Sequence, residues 1–206
     1  MQSIGLIFMV CQLTYLGNFN MSANYIRISH KQREDETLLH DRTTVSLFGG
    51  PIVKFTEIND DFAVLVGGRG GLIINHAFVI GAGGYGLVND IMVDNIPPRQ
   101  DYFLEFGYGG LVLEYILRPR KLLHLSVHTL IGGGSLCYRD NWYEPWDDDA
   151  FFVAEPGLDL MLNVTKCFRI GIGGSYRYIA GVGLDGLTNK DVSGATAGLT
   201  FKFGRF

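Results

Sequence analysis

The chain has 206 residues, of which 28 are glycine, 14 phenylalanine and 10 tyrosine, and it carries a net charge of −4 at pH 7. Charged residues make up only 18%, below the roughly 25% of typical soluble domains, and glycine is about twice its ordinary ~7% share. A negative balance argues against a nucleic-acid partner, which asks for a basic face. No apolar run reaches the length of about 18 residues that a membrane helix needs. Strands that cross a bilayer as a barrel carry a much weaker signal per segment and stay open.

Residues 1–23 begin with a short apolar core, I-G-L-I-F-M-V, and end near Met21-Ser22-Ala23, the pattern of a secretory signal segment. Residues 24–41 mix both signs of charge, including Arg27, Lys31, Arg33, Glu34, Asp35 and Glu36, and read as a polar N-terminal extension. Residues 42–206 form the remaining domain. In it, alternating segments are separated by turn residues, with strands predicted at 43–56, 62–74, 77–89, 102–117, 122–138, 151–163, 168–181 and 193–206. The connections run medium at 57–61, tight at Asn75-His76, long at 90–101, tight at 118–121, long at 139–150, tight at 164–167 and long at 182–192. Short and long connections thus alternate, with acidic residues gathered in the long ones and Arg118, Arg120, Lys121 and Lys166 in the tight ones. The expected fold class is all-β: an eight-stranded antiparallel up-and-down transmembrane β-barrel, with tight periplasmic turns, longer extracellular loops and both termini on the tight-turn side.

The segment Phe168–Gly181 shows which face meets lipid. Phe168, Ile170, Ile172, Tyr176 and Tyr178 share one side; Arg169, Gly171, Gly173, Ser175 and Arg177 share the other. A face of glycine, serine, threonine and isolated charges of both signs is a barrel interior, since a water-facing surface would be dense in Lys, Glu and Asp. The same reading puts His124, Ser126 and His128, Glu155 and Asp159, and Thr196, Thr200 and Lys202 inside. With Arg69, Glu114, Arg169 and Arg177 the charged members make an interior network that plugs the barrel, in which Glu155 is expected to face Arg177 across the 164–167 hairpin. Glu105 and Glu114 have opposite parity on one strand, so either a bulge at Gly109-Gly110 restores Glu114 to the interior or one glutamate sits at the membrane rim; the bulge is preferred.

Few residues suggest chemistry. His124-x-Ser126, with a carboxylate such as Glu144, is the one arrangement that fits nucleophilic catalysis. The segment Arg139–Ala150 combines Trp142, Tyr143 and Trp146 with acidic residues and reads as an aromatic rim with a solvated tip, or a surface contact. Tyr176 and Tyr178 join that rim. Asp147, Asp148 and Asp149 are consecutive and converge poorly for calcium. Cys11 falls in the signal segment, while Cys137 and Cys167, at opposite ends of the barrel, are expected to remain unpaired, with no metal site and no cofactor.

The terminal G-L-T-F-K-F-G-R-F resembles the C-terminal signal strand of outer-membrane barrels, and the chain as a whole is similar to the small eight-stranded outer-membrane β-barrel proteins. The resemblance implies that Phe201, Phe203 and Phe206 form an assembly signal read by the barrel-insertion machinery. It implies a monomer in the lipid bilayer of the bacterial outer membrane, with a structural or surface-interaction role and no enzymatic activity. Two alternatives stand beside it. The His-x-Ser pair also resembles that of outer-membrane lipid hydrolases, which implies a lipid A deacylase-like or phospholipase-like activity. A soluble lipocalin-like ligand-binding barrel would also alternate, with its apolar face inward.

Overall fold

Period-two alternation gives each strand one apolar and one polar or small face, and such strands bury their mismatch by closing on themselves. The computed structural model describes residues 43–94, 101–139, 145–184 and 186–206. The signal segment 1–23, the extension 24–41, Cys11, Trp142, Tyr143 and Glu144 lie outside the described residues.

Nine strands occur among the described residues: β1 (Val45–Ile58), β2 (Asp61–Ile74), β3 (Phe78–Leu87), β4 (Met92–Asp94), β5 (Asp101–Leu117), β6 (Leu123–Arg139), β7 (Pro145–Asn163), β8 (Phe168–Ala180) and β9 (Gly194–Gly204). All neighbouring pairs are antiparallel, and β9 returns to β1 with Thr196 against Thr56 and Gly204 against Phe48. The sheet is therefore closed. Strands β3 and β4 both pair with β5 and share one position in the wall, so the barrel has eight staves. Between them the register jumps from Gly86↔Gly107 to Met92↔Phe103. Asn89 in this break bonds the backbone of β2, accepting from Val64 N at 2.7 Å and donating to Phe62 O at 2.8 Å. It thereby satisfies edge groups that β3 is too short to reach.

The connections differ from expectation in three places. The predicted medium connection 57–61 is a two-residue turn, Asn59-Asp60, with φ of 53° and 63°. Two consecutive left-handed residues match the twist of a hairpin, and Asn and Asp tolerate that region. The predicted long loop 139–150 is mostly strand, because β6 runs on to Arg139 and β7 begins at Pro145. Polar residues there gave no alternation to read, and the register slips between Cys137 and Tyr138. Third, no bulge occurs at Gly109-Gly110: β5 pairs without a shift from Phe103 to Leu117 on β6. Glu114 is inside by simple parity and Glu105 is the outward, exposed glutamate at the loop end. The expected bulge is replaced by the rim alternative.

The outer surface is an apolar band including Leu47, Leu72, Ile80, Leu111, Val127, Leu158, Ile172 and Leu199, all exposed in the isolated chain. The interior has three tiers. Toward the loop end lies an apolar cluster with Leu65, Phe106, Leu136, Tyr138, Phe151 and Val153, and Leu184, Leu187 and Val192 of the β8–β9 connection fold into it. Val192 ends a single helical turn, α1 (Asn189–Val192), held by Thr188 and Asp191 in a capping box. A polar belt fills the middle, and a small cluster of Phe48, Ile73, Val79 and Ile116 closes the tight-turn end.

Candidate functional site

The polar belt is the one concentration of buried ionisable groups in the described residues. Its members arrive by parity from every stave but must find partners across the lumen. Lys54 on β1 reaches Glu155 on β7, with Nζ 2.7 and 2.8 Å from the two carboxylate oxygens. Arg69 on β2 pairs with Asp159 on β7, and Lys202 on β9 with Glu114 on β5. None of these strand pairs are neighbours in the sheet. Each pair is a strut spanning the barrel, and each is almost wholly shielded from water. A buried charge is tolerable only with an opposite charge and further hydrogen bonds. Glu155 has both: Tyr108 Oη donates to it at 2.7 Å and Ser175 Oγ at 2.5 Å. Lys54 also lies 3.4 Å above the Tyr85 ring centroid, a cation–π contact.

Inward glycines make room for these side chains. A Cβ on Gly173 would collide with Asp159 Oδ1 and the Leu158 carbonyl, and one on Gly157 would come within 2.8 Å of His128 Nε2. The glycines thus let large charged groups from adjoining staves occupy the same layer. The space left among Lys54, Arg69, Tyr85, His128 and Asp159 is about 20 Å³, room for about one water. It offers no aqueous passage at that level.

Of the residues expected in the interior network, Arg69, Glu114, His124, His128, Glu155, Asp159, Arg169, Arg177 and Lys202 are all buried. One pairing is corrected. Ladder pairs on either side place Glu155 level with Arg177, yet its carboxylate goes to Lys54. Arg177 turns toward the loop end instead. Its Nε donates to Val192 O at 2.8 Å, one terminal nitrogen approaches Thr56 Oγ1 and Glu57 O at 3.4 Å each, and the guanidinium lies 5.1 Å from the Phe106 ring centroid. It anchors the β8–β9 connection. Lys54 was missed by the sequence reading, although its parity with Ile52 and Thr56 was available to find it.

His124 and Ser126 are both buried, and neither His124 ring nitrogen nor Ser126 Oγ has a hydrogen-bond partner. A nucleophile and its base must touch; this pair does not, and it faces away from lipid. His128 Nδ1 lies 3.4 Å from Asp159. Among the described residues, no group of three or more His, Cys, Asp or Glu could hold a metal ion.

Tyr176 and Tyr178 are exposed on the outer face, near the loop end of β8. Trp146 stands opposite Tyr138 in the β6–β7 ladder. Phe203 also faces outward and stacks on Phe168, with centroids 4.7 Å apart; Phe201 lies between burial and exposure. Phe206 differs: its ring packs inward against the tight-turn cluster and lies 3.9 Å from the Arg169 guanidinium carbon. Cys137 lies near the loop end of β6, where its Sγ donates to Glu105 Oε2 at 3.5 Å, and Cys167 lies in the turn after β7; the two form no disulfide with each other.

No family model matches the chain, and no curated protein matches it in sequence. Solved structures do match. Neisserial surface protein A superposes with a TM-score of 0.53 at 9% identity, covering 80% of this chain and 99% of that one. The outer membrane protein OprG from Pseudomonas aeruginosa gives 0.49 at 10% identity, over 78% and 95% of the two chains. The attachment invasion locus protein of Yersinia pestis gives 0.45 at 11% identity, over 79% and 97%. The superposition on the Neisserial protein spans nearly all of that chain, with the eight staves and their closure described above. The chain therefore has the fold of the small eight-stranded outer-membrane β-barrel proteins.

Proposed function

We propose that this protein is a monomeric barrel of the bacterial outer membrane, delivered by the barrel-insertion machinery, with a plugged interior and a structural or surface-interaction role. One observation carries the reading: the outward face is an apolar band, while the charges of the polar belt point inward and six of the eight form ion pairs. Charge on the lipid face costs about 2–4 kcal/mol at mid-depth, so this is the arrangement a bilayer selects. A soluble ligand-binding barrel would invert it, and would need an internal cavity far larger than the space found among the belt residues. Contact with a surface partner would fall to the loop-end rim, which carries Glu57, Asp60, Asp61, Asp90, Glu105 and Asp191 as well as exposed Tyr176 and Tyr178.

Fractionation of cells with an outer-membrane marker, together with migration on detergent gels before and after heating, tests this. The expected result is outer-membrane residence and a compact unheated band that shifts on boiling. Recovery in the soluble fraction without detergent would overturn it. In planar bilayers the protein should show no steady conductance.

A further inference from the structure

The belt holds five buried cations, Lys54, Arg69, Arg169, Arg177 and Lys202, against three buried carboxylates, Glu114, Glu155 and Asp159. Three ion pairs use all three carboxylates. Arg177 is taken up by backbone and hydroxyl oxygens. Arg169 is not: it is 5% exposed, its Nε has no hydrogen-bond partner among the described residues, and the face of Phe206 lies 3.9 Å from its guanidinium carbon. Glu114 attracts it through space but is bonded to Lys202. A buried guanidinium without an anion is an unfavourable arrangement unless something supplies one.

Arg169 forms the floor of a concave mouth of about 670 Å³ at the tight-turn end of the barrel. Around its rim stand Arg120, Lys166, Arg205 and His76, and among the described residues no Asp or Glu lines it. The first three are exposed, and among the described residues they make no ion pair. The turn beneath them is fixed by Asn163, whose Nδ2 donates to Pro119 O at 3.1 Å and Lys121 O at 2.6 Å. We infer that this mouth is an anion site for a phosphate group, held by the Arg169 guanidinium from below and by Arg120, Lys166 and Arg205 from the rim. Guanidinium groups match the oxygens of a tetrahedral oxyanion in pairs, and several converging cations suit a group of more than one charge. The phosphate could be free or could belong to a lipid headgroup folding over the rim. The tight-turn end faces the periplasm if the orientation expected from the sequence holds; the binding chemistry does not rest on it.

The full chain in nonionic detergent, at ionic strength fixed with sodium chloride, should bind pyrophosphate by titration calorimetry and unfold at a higher temperature in its presence. Arg169→Met should weaken binding by about tenfold or more. If that variant fails to fold, the rim pair Lys166→Ser with Arg205→Ser carries the test, since both side chains are exposed and their loss leaves the wall intact. Lys121→Ser, in the same region but off the mouth, should bind as wild type. A parallel arm compares nanodiscs of phosphatidylcholine with discs containing phosphatidylglycerol. Stabilisation by pyrophosphate identifies a soluble phosphate. Stabilisation by the anionic discs, lost in the rim pair, identifies a headgroup. Either supports the site. Absence of both effects, binding indifferent to Arg169 and to the rim pair, or equal loss in Lys121→Ser overturns it. None of these outcomes depends on where the protein resides in the cell.

Discussion

Replacing Lys54 with methionine would leave the Glu155 carboxylate buried with Tyr108 and Ser175 but no cation. Breaking a buried pair from one side costs about 3–5 kcal/mol, because the remaining charge keeps its desolvation penalty. Glu155→Gln strands Lys54 in the same way, and the shielding of both side chains from water leaves little solvent to soften the effect. Removing both charges together eliminates both penalties, so the double variant should cost less than the sum of the singles by about 3 kcal/mol. Urea titration in detergent, with the folded fraction read from unheated gel migration, measures the cycle. The same cycle on Glu155 and Arg177 should be additive within about 0.5 kcal/mol, since the two make no ion pair despite facing one another in the ladder. Additivity for Lys54 and Glu155, or stronger coupling between Glu155 and Arg177, would refute the assignment of struts across the lumen.

Four other outcomes follow. Gly173→Val should destabilise the barrel by about 3 kcal/mol or prevent folding, because the new side chain meets Asp159 and backbone. Gly49→Ala, with nothing within 4 Å of its added Cβ, should be neutral or slightly stabilising by the same unfolding assay. Ile172→Arg, on the outer face between Leu160 and Leu199, should cost about 2–4 kcal/mol in liposomes; a soluble barrel would accept it with a change of about 0.5 kcal/mol or less. Ser126→Ala should leave any lipid deacylation in purified membranes unchanged, and its abolition would restore the hydrolase reading.

The wall of the barrel was legible because strand alternation is local. In Phe168–Ala180, each residue's face follows from its neighbour's, so Arg169, Ser175 and Arg177 separate from Ile172, Tyr176 and Tyr178 without knowledge of the rest of the chain. Loops were less legible. Polar residues such as Asp147, Asp148 and Asp149 read as connection, yet they lie on β7, since ladder hydrogen bonds hold strand residues whatever their polarity. The loop-end apolar cluster was missed for a related reason. Leu184, Leu187 and Val192 carry no period that points to a core, and only the folded β8–β9 connection lowers them into the loop end of the barrel.

The sequence by itself determined the number of staves, their antiparallel order and the face of most interior charges, because these depend on residue spacing along one strand. Only the tertiary structure decided which charges meet. Glu155 and Arg177 are near in the ladder, while Glu155 and Lys54 are 101 residues apart, and closure brings β1 across the lumen from β7. With three carboxylates claimed by long side chains that reach over the barrel axis, Arg169 is left facing a basic mouth. Pairing within a closed barrel is set by reach through its interior, and no pattern read along the chain encodes that distance.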